Sequence, residues 1–300
     1  MSEAVVGAAV IHFGDPAPTQ CCVESLISDP SRVERRIVVV DNSDTFECGG
    51  LESDISVLRR PDNPGYGAGA NAGFAEIDQE QACTAYVVLN NDTSVCPGFM
   101  DAAAGAIEVG VGAAGGPIRG DSDPSAYWYT GGGINFLTGT VWQRRTSEPG
   151  RHRRDVGFIP GTAMAISPIA WRDVGGFDPA FFLYNEDLDL CLRLRRRGWR
   201  LLFEPGMACF HLLGGATGSS LGSPMYLENL TRSRLLPFRS RAHRLYLAGI
   251  HTAYNSLRAL GLAWKLKGES GPYLTAIARG HRHALRTVFQ LETPPSIASS

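Results

Sequence analysis

The chain reads as an α/β protein with a mostly parallel central sheet flanked by helices and a helical extension at its C-terminal end. Three observations predict this. Uninterrupted apolar runs recur through the first hundred residues, each short enough to be a strand. Stretches of helical character separate them. Each run stops on polar residues. Strands that are apolar throughout must be covered on both faces, which is the habit of parallel sheets.

Taken in order, "AVVGAAVIHF" (4–13) is the first such run, and residues 19–28 suit a helix. "RRIVVVDNSD" (35–44) is β-branched and stops at Asp41-Asn42. "ISVLRR" (55–60) is a short third strand, and "GAGANAGFAEIDQEQA" (67–82) a glycine-rich loop feeding a helix. "AYVVLNNDT" (85–93) is a fourth strand. Ligands of open α/β sheets bind beyond the carboxyl ends of the strands. Those ends carry His12, Asp41-Asn42 and Asn90-Asn91-Asp92, three polar clusters that would line one crevice.

From 113 to 168 the chain is glycine-punctuated and β-rich, with a polar basic stretch, "RRTSEPGRHRRD" (144–155), expected to be a mobile loop. A helix beginning near Leu188 and a strand over 200–211 follow. Tyr246, Ile250, Ala253, Tyr254, Leu257, Leu260, Gly261 and Trp264 recur at helical spacing with Arg and His opposite, which predicts a long amphipathic helix. A second is expected over 272–289. Residues 291–300 have the composition of a frayed tail.

A hydrophobic fraction of 44% and a charged fraction of 19% suit a globular protein with a sizeable core. The net charge of −2 gives no reason to expect nucleic-acid binding, but it conceals an asymmetry. Residues 231–290 hold eleven Lys/Arg and one acid, Glu269, whereas residues 1–230 hold 17 basic and 28 acidic groups. Seven cysteines without a C-x-x-C pair argue for a reducing compartment and against a zinc ribbon. The N-terminus lacks a basic leader region, and no apolar stretch reaches the length of a membrane span, so a cytoplasmic protein is expected.

Five stretches could carry chemistry. "VVVDNSD" places Asp41 where an acid can bind a ribose or base edge, although Asp-Asn-Ser is also ordinary turn material. "NPGYGAGANAG" (63–73) frees the backbone for close approach to a ligand. It lacks the third glycine of a dinucleotide fingerprint and does not follow the first strand, which disfavours an NAD-dependent oxidoreductase. "LNNDTSV" (89–95) sets a carboxylate beside two amides, suited to a hard divalent ion such as Mg²⁺ or Mn²⁺, or to an Asx turn. In "FFLYNEDLDLCLRLRRRGW" (181–199), Asn185 or Glu186 is placed to cap the helix. Capping needs one acid and three are present. Successive side chains turn by about 100°, so one acid can face the crevice as a general base while the others pair with arginines. His211, the last of the five, follows an apolar strand and could be structural or a metal ligand.

Together, "VVVDNSD", "NPGYGAGANAG", "VVLNNDT", "TGGGINF", "GGFDPAFFLYNEDLDLCLRLRRRGW" and "EPGMACFH", in this order, resemble the family 2 glycosyltransferases of GT-A fold, in particular their bacterial rhamnosyltransferase-like branch. The resemblance spans about residues 5–240. It implies transfer of a sugar, with inversion, from a nucleoside diphosphate donor, dTDP-rhamnose being a first guess. The acceptor would be a hydroxyl of a glycan, a lipid-linked glycan or a natural product. By the same resemblance Asp187 is the catalytic base, with Glu186 its neighbour. Nucleotide contacts fall on His12, Phe13, Asp41, Asn42, Asn63, Gly65, Asn71, Gly73, Asn90 and Asn91. Asp92 and His211 fall on the metal site. Asn90 departs from the family pattern, standing where the first acid of the D-x-D motif is expected. Trp128, Tyr129, Trp142 and Trp171 could shape the acceptor site or belong to the core.

The implied organisation is a catalytic domain over 1–230, with a nucleotide-binding half (1–112) and an acceptor half (113–230). A basic helical region (231–290) and the tail (291–300) follow. The basic region could make peripheral contact with the cytoplasmic face of a membrane, pack on the catalytic domain, or mediate a homo-oligomer. A non-catalytic nucleotide-sugar-binding scaffold on the same fold is the competing function.

Overall fold

The structure is a computed structural model that describes residues 4–290 except 52, 80–81, 121–125, 213–222 and 267–268. The expected tail lies outside the described residues. The chain forms two compact units, residues 1–134 with 141–220, and residues 135–140 with 221–300.

The first unit opens with β1 (Val5–His12), α1 (Pro16–Ile27), β2 (Glu34–Asp41), β3 (Ile55–Arg59), α2 (Tyr66–Asp78) and β4 (Ala85–Asn90). It continues with β5 (Thr93–Val95), α3 (Phe99–Ala106), β6 (Val111–Gly115), β7 (Ile118–Gly120), β8 (Tyr127–Tyr129), β9 (Gly132–Asn135), β10 (Thr140–Gln143) and β11 (Arg154–Asp155). β12 (Ala163–Ile166), α4 (Pro168–Val174), α5 (Glu186–Arg196), β13 (Arg200–Phe203) and β14 (Cys209–His211) complete the series. Its main sheet has eight strands in the order β11-β13-β6-β12-β4-β1-β2-β3. The four strands read from the first ninety residues lie side by side and parallel, and β12 enters antiparallel between β4 and β6. Every residue of β1 is buried, as a strand covered on both faces must be. In register, His12 lies opposite Asp41 and Ile11 opposite Asn90. The polar ends of β1, β2 and β4 therefore share one edge.

Two expectations are corrected. The run 200–211 is two strands in different sheets, because Pro205-Gly206 interrupts it: β13 joins the main sheet and β14 a second one, ordered β5-β14-β7-β8. The "GAGANAG" stretch is not a loop, since α2 starts at Tyr66 and holds these glycines inside it. Close packing accounts for them: a Cβ at Gly73 would lie 2.8 Å from Val40 Cγ2 and 2.9 Å from the Ala9 side chain, so α2 lies directly on β1 and β2. Of the aromatics left open between acceptor site and core, Tyr129 is a core residue and Trp171 is half-buried. Tyr129 is fully buried with its hydroxyl on the Phe158 carbonyl, and Trp171 packs edge-on against Phe74, Tyr86 and Phe177.

The second unit holds α6 (Pro224–Ser233), α7 (Arg241–Leu266) and α8 (Gly271–Gln290). Both long helices predicted by periodicity are present. The face of α7 that the apolar pattern marks is nonetheless turned outward: Leu257 is 70% exposed, Leu260 68% and Trp264 86%. Its buried face holds Arg244, Leu247, Ala248, His251 and Asn255. Among the described residues, no helix is long and apolar enough to cross a membrane.

Candidate active site

The edge formed by β1 and β2 is built around Asp41. Its carboxylate is fully buried, and both oxygens accept hydrogen bonds. Oδ1 takes the Ser43 amide at 3.0 Å and hydroxyl at 3.2 Å, and Oδ2 takes the Phe46 amide and Arg59 Nη1, each at 3.0 Å. Burial pushes this carboxyl up, but the Phe46 and Ser43 amides, the His12 ring and the Thr45 amide outweigh it and hold it below the usual range. His12 is also fully buried. Nδ1 meets the Thr19 hydroxyl at 2.6 Å and Nε2 the Thr45 hydroxyl at 3.0 Å, and burial lowers its pKa. Phe13, the next residue, is 38% exposed at the strand end. Asp41 and His12 thus hold the 42–46 loop, and Phe13 is the group presented outward.

The α2 entry is equally committed. Asn63 and Gly65 both have positive φ (41° and 92°). A side chain at Gly65 would collide with the Phe182 backbone, whose carbonyl accepts the Tyr66 amide at 3.0 Å. Asn71 bonds the Phe177 backbone in both directions, each at 2.9 Å, across 106 residues of sequence. Asn42 donates to the Gly65 carbonyl at 3.5 Å, and Asn91 to Thr19 at 3.0 Å. Asn71, Gly73 and Asn91 therefore face the protein, bringing distant segments together.

Beyond β4, Asp92 Oδ1 lies 3.0 Å from His211 Nε2, and Asn90 Nδ2 is 3.2 Å from the same nitrogen. His211 Nδ1 is buried without a hydrogen-bond partner, and the Trp128 ring lies 5.9 Å away. Among the described residues no group of three or more His, Cys, Asp or Glu could enclose a metal. A carboxylate and an imidazole side by side do fit a divalent ion whose remaining positions are filled by substrate oxygens.

The acids of α5 divide into three environments. Asp189 is buried and paired with Arg193, whose Nη1 also donates to the Val174 and Gly176 carbonyls. Glu186 is not paired with arginine as its position suggested. It is buried, and its Oε2 has no hydrogen-bond partner. Burial, and then the charge of Asp187, push its pKa up to about 8. Half-buried Asp187 accepts the Gly161 amide at 3.1 Å and the Leu188 amide at 2.7 Å. Burial raises its pKa too, with these amides opposing the rise. The two carboxyls share one site, and burial with their mutual repulsion makes the pair hold a proton more tightly than an isolated carboxyl does. Of the two candidates for the cap, Asn185 has φ 66° and makes no side-chain capping bond.

Two features went unread in the sequence. The Tyr66 hydroxyl donates to the Gly161 carbonyl at 2.6 Å, and its phenol is raised first by burial and then by Glu186, Asp187 and Asp92. The Gly161-Thr162 turn joins both halves of the site: the Gly161 amide holds Asp187, and the Thr162 carbonyl accepts the Asn90 amide at 2.9 Å. A lone aromatic in a glycine-rich motif, and a Pro-Gly step before an apolar strand, were the available signals.

A mostly parallel sheet with polar residues at its carboxyl edge, a carboxylate–imidazole pair beyond β4 and an acid pair opening α5 define a GT-A-type transferase. The profile of glycosyltransferase-like family 2 matches residues 13–233, and the chain belongs to that family; it is a glycosyltransferase. It is 28% identical over 238 residues to the N-acetylglucosaminyl-diphospho-decaprenol L-rhamnosyltransferase of Mycobacterium tuberculosis, covering 72% of this chain and 73% of that protein. Among solved structures it is similar to Staphylococcus aureus TarS residues 1–349 in complex with UDP-GlcNAc (TM-score 0.57, 14% identity, 94% of this chain and 82% of that one). It is also similar to a Pyrobaculum calidifontis mannosyltransferase in complex with GDP-Man and Mn²⁺ (TM-score 0.52, 13% identity, 96% and 88%).

Proposed function

We propose that this enzyme moves a sugar, with inversion at the anomeric carbon, from a nucleoside diphosphate donor to an acceptor hydroxyl, with Asp187 as general base. The observation that carries the reading is the Gly161-Thr162 turn, which fastens Asp187 and the Asn90–Asp92 segment to adjacent residues. A proton acceptor and a diphosphate-binding edge are thereby held one peptide apart. The two acids of the pair have separable roles. Asp187, supported by two amides, is the carboxylate that ionises and takes the acceptor hydroxyl's proton as the hydroxyl attacks. Protonated Glu186 limits the negative charge beside it.

Asp92 and His211 would hold a Mg²⁺ or Mn²⁺ ion together with diphosphate oxygens, and the Mn²⁺ in the Pyrobaculum calidifontis complex supports this. When bound, the ion offsets the charge that grows on the departing nucleoside diphosphate. The 42–46 loop, Phe13 and the α2 entry would receive the nucleoside, with Asp41, His12, Asn42 and Asn71 fixing their shape. The Mycobacterium tuberculosis relative's name supports an L-rhamnosyl donor and a lipid-linked diphosphate sugar acceptor. Trp128, beside His211, is the aromatic best placed to meet a sugar ring.

A thermal-shift screen of dTDP-rhamnose, UDP-GlcNAc and GDP-mannose, each with and without Mn²⁺, tests this. A donor at 100 times its Kd stabilises the folded state by about 2.7 kcal/mol. The expected result is a rise in Tm for one donor, larger with Mn²⁺ and reduced in Asp92→Ala and His211→Ala. No shift with any donor would refute the donor assignment. A shift indifferent to Mn²⁺ and to both variants would refute the metal site.

A further inference from the structure

The eleven Lys/Arg of residues 231–290 are not spread evenly. Arg279, Arg282, His283 and Arg286 follow one another at i, i+3, i+4 and i+7, so they form one face of α8. α6 brings Arg232 to the same place. The helices approach closely there because Gly280 has no side chain, and a Cβ would sit 2.9 Å from Thr231 Cβ. Alongside the basic face, Ala276 and Ile277 of α8 are buried against Leu227 of α6. The result is a groove of about 230 Å³, lined by Arg232, Arg279, Gly280, Arg282, His283 and Arg286, with Glu228 as its one acid. None of the four guanidinium groups makes an ion pair among the described residues. Burial, and then Arg232 and Arg286, lower the His283 pKa.

Like charges at this spacing repel, so the arrangement costs helix stability unless an anion completes it. Arginine's forked donors suit phosphate oxygens in particular. Arg279, Arg282 and Arg286 are exposed and extend along about 10 Å of helix axis, further than a single phosphate group reaches. A row of phosphates on a surface fits that length.

We propose that the α6–α8 groove docks this protein on an anionic membrane by binding the phosphate groups of lipid head groups. This is independent of the reading of Asp187 and of the metal pair. The test is co-sedimentation of the full chain with phosphatidylglycerol-containing vesicles and with pure phosphatidylcholine vesicles, alongside calorimetric titration with inorganic pyrophosphate. The chain should sediment with the anionic vesicles alone and be released by high salt. The triple variant R279Q/R282Q/R286Q should lose about 100-fold in partitioning, since each basic residue contributes roughly fivefold. R279K/R282K/R286K should retain most of the binding, which separates loss of charge from loss of fold. R32Q/R145Q/R151Q, with the same change in net charge elsewhere, should bind as the parent does. Equal binding to neutral vesicles, an unchanged triple glutamine variant, or equal losses in the two glutamine triples would overturn the proposal. So would pyrophosphate binding without vesicle binding, which would assign the groove to a soluble diphosphate.

Discussion

Two of the buried carboxylate sites in the first unit are built to opposite ends. Asp41 has both oxygens filled by amides, a hydroxyl and an arginine, and its pKa is held down. The Glu186–Asp187 pair has a buried oxygen with no partner and pKa values driven upward. Burial alone predicts the same upward shift for both. What separates them is the supply of donors. A fully satisfied carboxylate is a framework element, whereas a pair left short of donors retains the capacity to exchange a proton.

The largest expected effect tests the second half of this contrast. Asp187→Asn should lower kcat by about 10²–10⁴-fold, the usual range for a lost general base, with little change in Tm. Turnover within tenfold of the parent would remove Asp187 from the mechanism. Asp41→Asn should instead act on the fold, because its new NH₂ group must face an amide donor or Arg59. Chemical denaturation should show a loss of about 2–3 kcal/mol. A loss of activity at unchanged stability would mean that Asp41 contacts substrate directly.

The smallest effect has the sharpest sign. The raised Glu186 pKa means that the folded state holds a proton that the unfolded chain releases above about pH 4. This term therefore weakens stability as pH rises from about 4 towards 8. Glu186→Gln, which cannot ionise, should be more stable than the parent at pH 8 by at least about 1.4 kcal/mol, and equal to it near pH 4. Asp41 behaves in the opposite way: its contribution is present above about pH 4 and is lost as pH falls through its depressed pKa. Melting curves of both variants from pH 2 to 8 read the two slopes, Asp41's below about pH 4 and Glu186's above it, and slopes of the same sign would dissolve the contrast.

Sequence by itself determined the α/β class, the parallel strands β1 to β4, the shared edge of their polar ends and the two long C-terminal helices. Each of these rests on periodicity or on where an apolar run stops, and both are local. It also placed Glu186, Asp187 and Asp189 at a helix start. Only tertiary structure decided which acid does what, because Gly161, Arg193 and Tyr66 come from other parts of the chain or from another turn of the helix. Tertiary structure likewise moved the "GAGANAG" glycines into α2, where packing on Val40 and Ala9 overrides their helix-breaking tendency. On α7 it exposed the face that periodicity would bury, turning Arg244 and His251 inward. An apolar stripe records that a surface will be covered, but not by what, and the charge of a carboxylate depends on neighbours that only the fold supplies.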